Sequence, residues 1–245
     1  MAVTPGCADP LLDAAFPAAL DSPMHRLRIW LVALVIVALA VMACYAWFDW
    51  AIASWVHAHK TVYRSRDFFE PLTHIPDPLI PIGAAAFFIF GLRAIAGALP
   101  RKLYDVIVAC GISVVMAETF KNGFKWLFGR PWPETWRNNN SSWIGNQDYA
   151  FHWFHGGGEF SSFPSGHTAA TLAVLSVLWI CYPRFRVLYV LAALAVMAAL
   201  VGSNFHFLGD TIAGAFLGCT IGWITVTLFD RISSAPLISA KRSRE

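Results

Sequence analysis

Charge is scarce in this chain of 245 residues. Charged residues make up 13% of it, 18 Lys and Arg against 15 Asp and Glu, where a soluble domain usually carries about 25%. That is too little charge to wet the surface of a soluble protein of this size. Disorder is excluded by the same shortage together with 57% hydrophobic residues. The net charge of +3 is too small to argue for a nucleic-acid partner. Cysteine is sparse as well: Cys7, Cys44, Cys110, Cys181 and Cys219 form no C-x-x-C pair. A disulfide-rich secreted module is therefore excluded, and the thiols read as small apolar side chains. No internal repeat of fixed period is present, and no G-x-x-x-x-G-K phosphate loop follows the Gly156-Gly157-Gly158 run. That run reads as a hinge or lid instead.

Apolar length is what the chain has in excess, with a mean hydropathy of +0.55. A helix crosses a bilayer in roughly 20 apolar residues. Six runs near that length occur: Ile29–Phe48, Leu79–Leu99, Leu103–Phe120, Ser165–Tyr182, Val187–Ser203 and Thr211–Phe229. They are continuous rather than alternating, so helices are expected and a β-barrel is not. The expected fold is all-α and polytopic, with six transmembrane helices and a long extracytoplasmic loop between the third and fourth. Residues 1–28 form a flexible cytoplasmic tail in this reading, 29–229 the membrane domain, and 230–245 a basic cytoplasmic tail. Placing Arg26, Arg28, Arg101, Lys102, Arg184, Arg186 and Arg231 in short inner segments satisfies the positive-inside rule, so both ends are expected to be cytoplasmic. Val41-Met42-Ala43-Cys44 loosely resembles a lipoprotein cleavage site, but the apolar core is too long and too far from the start for a signal peptide.

Polar residues concentrate in two places. The loop from Lys121 to Pro164 is long, polar and aromatic, and the segment from Asn204 to Asp210 is short. Two spans separate them, so both lie on the same side of the membrane whichever way the protein inserts. Pro164-Ser165-Gly166-His167-Thr168 opens the fourth span. Ser165 suits a helix cap, Gly166 allows close backbone approach, and the free N–H groups favour an anion. His167 placed there can transfer a proton, although a capped helix with an interfacial His would read the same way. His206 and Asp210 have helical i, i+4 spacing. A carboxylate on one imidazole nitrogen fixes the tautomer and makes the other nitrogen more basic, as a nucleophile or general base needs. Glu118, Lys121 and Lys125 share one helical face, and Arg130 follows. Basic groups facing a helix start and two His residues read as a phosphoryl site; a lipid-headgroup anchor is the plainer alternative. His152 and His155, with Asp148 or Glu159, form only a weak candidate for a metal, and no metal or other cofactor is expected.

These motifs resemble the signatures of the type 2 phosphatidic-acid phosphatase superfamily, membrane branch. Pro164-Ser165-Gly166-His167 is similar to its second signature, His206-x3-Asp210 to the end of its third, and Lys125 through Pro133 to its first. The first signature is a Lys, six residues, then Arg-Pro. Counting from Lys125, the Arg-Pro position holds Trp132-Pro133; counting from Arg130-Pro131, the Lys position holds Gly123. The former register places Gly129-Arg130 where many members carry Gly-Arg. The third signature has an Arg six residues before its His, where this chain has Leu200.

The resemblance implies a lipid phosphate phosphatase in a bacterial inner membrane, its site facing the periplasm. Phosphatidic acid, phosphatidylglycerol phosphate, isoprenoid phosphates or lipid A would be substrates. It implies that His206 attacks phosphorus, Asp210 orients it and His167 protonates the leaving oxygen. Lys121, Lys125, Arg130, Arg137, Ser165 and Gly166 would hold the phosphate. With two guanidiniums replaced, each worth about 1.5–3 kcal/mol as a charge-assisted contact, Arg130, Arg137 or Lys121 would have to compensate. A phosphotransferase, with an acceptor pocket built from Trp132, Trp136, Trp143 and Trp153, and a non-catalytic lipid-phosphate binding or transport protein are the alternatives on this scaffold. The oligomeric state has no signature in the sequence.

Overall fold

The computed structural model describes residues 23–63, 71, 73–74, 77–95, 102–135 and 139–232. Helix α1 (Pro23–Ala43) runs through a π-helical turn at Cys44–Phe48 into α2 (Asp49–Tyr63). Then come α3 (Leu79–Ile95), α4 (Lys102–Phe128), the short α5 (Trp143–Asn146), α6 (Gly166–Cys181), α7 (Arg186–Gly202) and α8 (Leu208–Ile232). Among the described residues there is no strand, only the isolated bridges Arg130–Ser161 and Trp132–Ser142.

All six apolar runs are helical where described, apart from the cap residues Ser165, Tyr182 and Ser203. Among the described residues, four helical stretches are long and apolar enough to cross a membrane: Met24–His59, Asp105–Phe128, Pro183–Gly202 and Leu208–Asp230. Gly166–Cys181 is a shorter apolar helix, and α3 has 17 residues. The first run is part of a much longer rod. At about 1.5 Å per residue, Met24–His59 extends roughly 54 Å, well beyond a hydrocarbon core of about 30 Å. Leu31, Val32, Val35, Ile36 and Leu39 on α1, and Val187, Leu191 and Leu194 on α7, are exposed. Such surfaces suit acyl chains rather than water, and the chain is an integral membrane protein.

Helices α6 and α8 form the centre, α4 lies against both, α3 covers α4, and α1 and α7 lie at the periphery against α8 and α6. Small residues set the spacing. Gly214, Gly218 and Gly222 recur every four residues along α8. A Cβ at Gly214 would sit 2.5 Å from the Ser165 carbonyl oxygen, and Cβ atoms at Gly218 and Gly222 would run into Ala169 and Ser176 of α6. Without a hydrophobic drive between helices in lipid, such close backbone approach supplies the packing attraction. The α4–α8 side is held by two small apolar clusters, Val106, Ala109, Val177 and Val226, and Ala117, Ala173 and Ile221. The Trp30 indole N–H donates to Thr220 Oγ1 at 3.1 Å, fixing α1 along α8.

Because α6 and α8 begin side by side, the residues at their N-termini share one end of the bundle. Replacing Gly218 with Leu should wedge these helices apart and cost about 1–3 kcal/mol or more. Thermal unfolding in detergent should show a lowered midpoint for Gly218→Leu, while Leu191→Ala on the exposed face of α7 leaves it unchanged.

Candidate active site

The loop after α4 turns sharply at Gly129, whose φ of +52° suits glycine. A Cβ there would collide with the His152 carbonyl oxygen. The backbone stitches His152 N to Gly129 O at 2.9 Å and Ser162 N to Arg130 O at 3.0 Å. Phe128, Phe151, Trp153 and Phe163 pack ring on ring beneath it. This framework carries Arg130 inward and lays Ser162 against the α7–α8 connection.

His206 sits in that connection, 3% exposed, and its ring lies 6.5 Å from the His167 ring, centroid to centroid. Two segments far apart in sequence thus present their imidazoles to each other. Asp210, in the first turn of α8, is fully buried behind His206. Its Oδ2 accepts from Ser162 Oγ at 2.5 Å and from Phe207 N at 3.0 Å, and lies 3.5 Å from His206 Nδ1. Ser162 Oγ is also 3.4 Å from His206 Nδ1. The Ser162 proton is directed to Asp210, so Nδ1–H donates to this pair and Nε2 keeps its lone pair. Burial pushes the His206 pKa below the ordinary histidine value, and the bond to Asp210 offsets part of that shift. A neutral, oriented imidazole with a free Nε2 is the form a nucleophile requires.

His167 lies in the first turn of α6, where Ser165 caps the helix by accepting from Thr168 N at 3.4 Å and Thr168 Oγ1 at 3.0 Å. The Ser165 hydroxyl is fully buried, and its N–H donates to Asp210 O at 3.0 Å, tying the two helix starts together. His167 Nε2 is 3.0 Å from Asp77 Oδ1, and the other oxygen of Asp77 is 2.7 Å from His74 Nδ1. Lys121 pairs with Glu118 at 2.6 Å and presses on Gly166, where a Cβ would stand 2.7 Å from its Nζ. Lys125 Nζ lies 5.6 Å from the Trp132 ring centre, and Trp132 packs against His206 at 5.2 Å. The lysines and the glycine thus line the same end of the bundle as the two histidines.

Arg130, expected on phosphate, faces two carboxylates. It is completely buried, donating from Nη1 to Asp210 Oδ1 at 2.6 Å and from Nη2 to Asp49 Oδ2 at 2.8 Å. The rings of Tyr45, Tyr149, Phe151 and Phe207 surround it at 4.2–5.4 Å. Arg137 and Trp136 lie outside the described residues. Trp143 donates to Ser54 Oγ at 3.0 Å and Trp153 is exposed, so of the described tryptophans proposed for an acceptor pocket, Trp132 is the one against His206. Leu200 is fully buried, its carbonyl accepting from Phe205 N and His206 N. His152 pairs with Asp148 at 2.9 Å, and no cluster of three metal-ligating side chains occurs among the described residues.

Asp49, Asp77 and Ser162 escaped the sequence reading. Asp49 carried a signal, a lone acid at the end of an apolar run. Ser162 and Asp77 carried none, because their partners are 44 to 90 residues away.

The depressed basicity of His206 is directly measurable. In side-chain NMR titrations of the detergent-solubilised protein, His206 should stay neutral on acidification past about 6.5, the ordinary histidine value, and protonate only below it. Protonation at or above that value would contradict the buried, dry setting described here.

The family model that matches this chain is described as the PAP2 superfamily and covers residues 106–234, more than half of the chain. No curated protein gives a significant match. Among solved structures, the first transmembrane PAP2 type phosphatidylglycerolphosphate phosphatase from Bacillus subtilis is similar at 17% sequence identity and a TM-score of 0.46, over 82% of this chain and 97% of that one. The matched residues contain Lys125, His167, His206 and Asp210, and the three signature-like motifs lie within them. On that match the chain belongs to the PAP2 superfamily.

Proposed function

We propose that this protein is a membrane-embedded phosphatase that hydrolyses a lipid phosphomonoester or pyrophosphate by two successive phosphoryl transfers. The observation that carries this reading is the 6.5 Å approach of the His167 and His206 rings, with a buried carboxylate behind only His206. One histidine is set up as a nucleophile and the other as an acid–base group. Membership of the PAP2 superfamily supports the phosphatase chemistry.

In the first step His206 Nε2 attacks phosphorus, the P–N bond forms and the P–O bond to the lipid breaks. The departing oxygen takes a proton from His167, whose ring Asp77 holds in place through the 3.0 Å contact at Nε2. In the second step water attacks the phosphohistidine and gives a proton to His167. The P–N bond breaks and inorganic phosphate leaves. Asp210 balances the positive charge that His206 acquires while phosphorylated. Lys121, Lys125 and the first N–H groups of α6 would hold the non-bridging oxygens, where charge accumulates in the transition state. Arg130 serves from behind the site, through Asp210, rather than on phosphate. No metal takes part in this scheme.

The first rod and helices α3, α4, α6, α7 and α8 cross the bilayer in this reading, both termini are cytoplasmic, and the site opens on the periplasmic side of a bacterial inner membrane. There the substrate headgroup can enter from the leaflet while its acyl chains stay in lipid. Trp132 and Leu200, standing where the family signatures have Arg, leave two fewer guanidiniums for phosphate. This favours, as a second reading, a protein that binds a lipid phosphate without turning it over.

Purified protein offered phosphatidic acid, phosphatidylglycerol phosphate and an isoprenoid pyrophosphate should release phosphate from at least one. His206→Ala and His167→Ala should each abolish release, and Lys125→Ala should lower it by roughly 10²–10³-fold, the usual cost of losing one transition-state donor. Headgroup binding with no release by the wild type would establish the binding module instead. Millimolar vanadate, which adopts the geometry of the transferred phosphoryl group, should inhibit release; an insensitive enzyme would contradict the proposed pocket.

A further inference from the structure

A carboxylate outside the family-matched residues is built into the rear of this site. Asp49 stands in the middle of the long first rod, immediately after the π turn, and is 1% exposed. An ionised carboxylate in such a place is costly unless every oxygen is satisfied. Both are: Oδ2 accepts from Arg130 Nη2 at 2.8 Å, and Oδ1 accepts from Gly209 N at 2.9 Å. Gly209 lies between His206 and Asp210 in sequence, so Asp49 grips the segment that carries both. A Cβ at Gly209 would stand 3.0 Å from Asp49 Oδ2 and 3.3 Å from Cys44 Cβ. The rod and the histidine-bearing loop are thus in intimate contact at this point. The extra residue of a π turn shifts the phase of the helix after it, and such turns recur at functional sites.

Charge arithmetic gives the contact its consequence. Arg130 shares one positive charge between two carboxylates, so the group Asp49, Arg130 and Asp210 carries a net charge of about −1 when all three are ionised. The groups facing His206 are Asp210 from α8, Ser162 from the long loop, Lys125 from α4 and His167 from α6, with Lys121 beside His167 and Arg130 behind Asp210. The lysines contribute positive charge. Net negative charge behind His206 therefore depends on the second carboxylate. With Asp49 neutral, Arg130 and Asp210 would form a one-to-one pair that cancels. The aromatic rings around Arg130 exclude water that would otherwise screen this difference.

We infer that Asp49 is a positioning residue for the phosphoryl transfer: by sharing the charge of Arg130 with Asp210 it leaves Asp210 the negative charge with which to hold His206 and balance the charge on it. The inference rests on the phosphatase reading above, and its test separates the two. Wild type, Asp49→Asn and the double variant Asp49→Asn/Arg130→Gln are compared in detergent micelles with a short-chain phosphatidic acid as substrate. The titration of His206 is followed by NMR in the same samples. Asp49→Asn should lower kcat by roughly 10-fold or more, the cost typical of losing an outer partner of an active-site group, with KM little changed. Removing a negative charge disfavours the imidazolium, so the acid limb of kcat and the His206 titration should both move to lower pH. Removing Arg130 as well unmasks Asp210, so the double variant should move both back up.

An Asp49→Asn protein with unmoved titration and acid limb would overturn the inference, even if it unfolds at a lower temperature. If Asp49→Asn does not accumulate, Arg130→Gln and the double variant are compared instead. A lower His206 titration in the double variant than in Arg130→Gln supports the inference, and an equal one overturns it. Should the wild type release no phosphate, the phosphatase reading fails, while the NMR titration still tests the electrostatic link.

Discussion

A guanidinium sealed from water by aromatic rings is held here by two acids from distant parts of the chain, and the candidate site is assembled around it. Asp49 comes from the first rod, Arg130 from the loop after α4, and Asp210 from the start of α8. None of the three would be stable in its place alone. Removing one member of such a buried ionic group typically costs about 3–5 kcal/mol, because the partners lose their compensation. The same contacts set the geometry of His206, since Asp210 reaches it with one oxygen and Arg130 with the other. Structural integrity and chemistry therefore share one set of contacts.

The membrane fold brings these parts together with little apolar bulk. Glycines along α8 let α6 approach until the Ser165 N–H bonds to the Asp210 carbonyl. That contact joins the helix start bearing His167 to the one bearing Asp210. Outside this centre the helices turn large apolar side chains outward, toward lipid. The polar site is thus confined to one end of the bundle, where the long loop covers it with aromatic residues.

Much of this was legible in the sequence, and the reasons differ by residue. The helices were readable because apolar runs of bilayer length have few other uses. His167 was readable because a Pro-Ser-Gly start both caps a helix and leaves N–H groups free. His206 and Asp210 were readable as a pair by their spacing, although Gly209 between them serves as a contact for Asp49 as well. Arg130 was read as a phosphate ligand from its charge and its place near phosphate-type motifs; sequence does not give direction, and the guanidinium lies between Asp49 and Asp210. Asp49 lay one residue beyond the end of the first apolar run, where the π turn directs it inward. Ser162 and Asp77 depend on long-range folding and left no local trace. The first run was read too short, because the rod continues past the π turn to His59 with no helix-breaking residue between them.

Covalent capture of the phosphoryl group would identify the nucleophile. Enzyme turning over a lipid phosphate is quenched in alkali, where phosphohistidine survives, and its peptides are analysed by mass spectrometry. A phosphoryl group is expected on His206 and on no other residue, present during turnover and absent from His206→Ala. Turnover without a phosphorylated His206, or with the group on a different side chain, would contradict it.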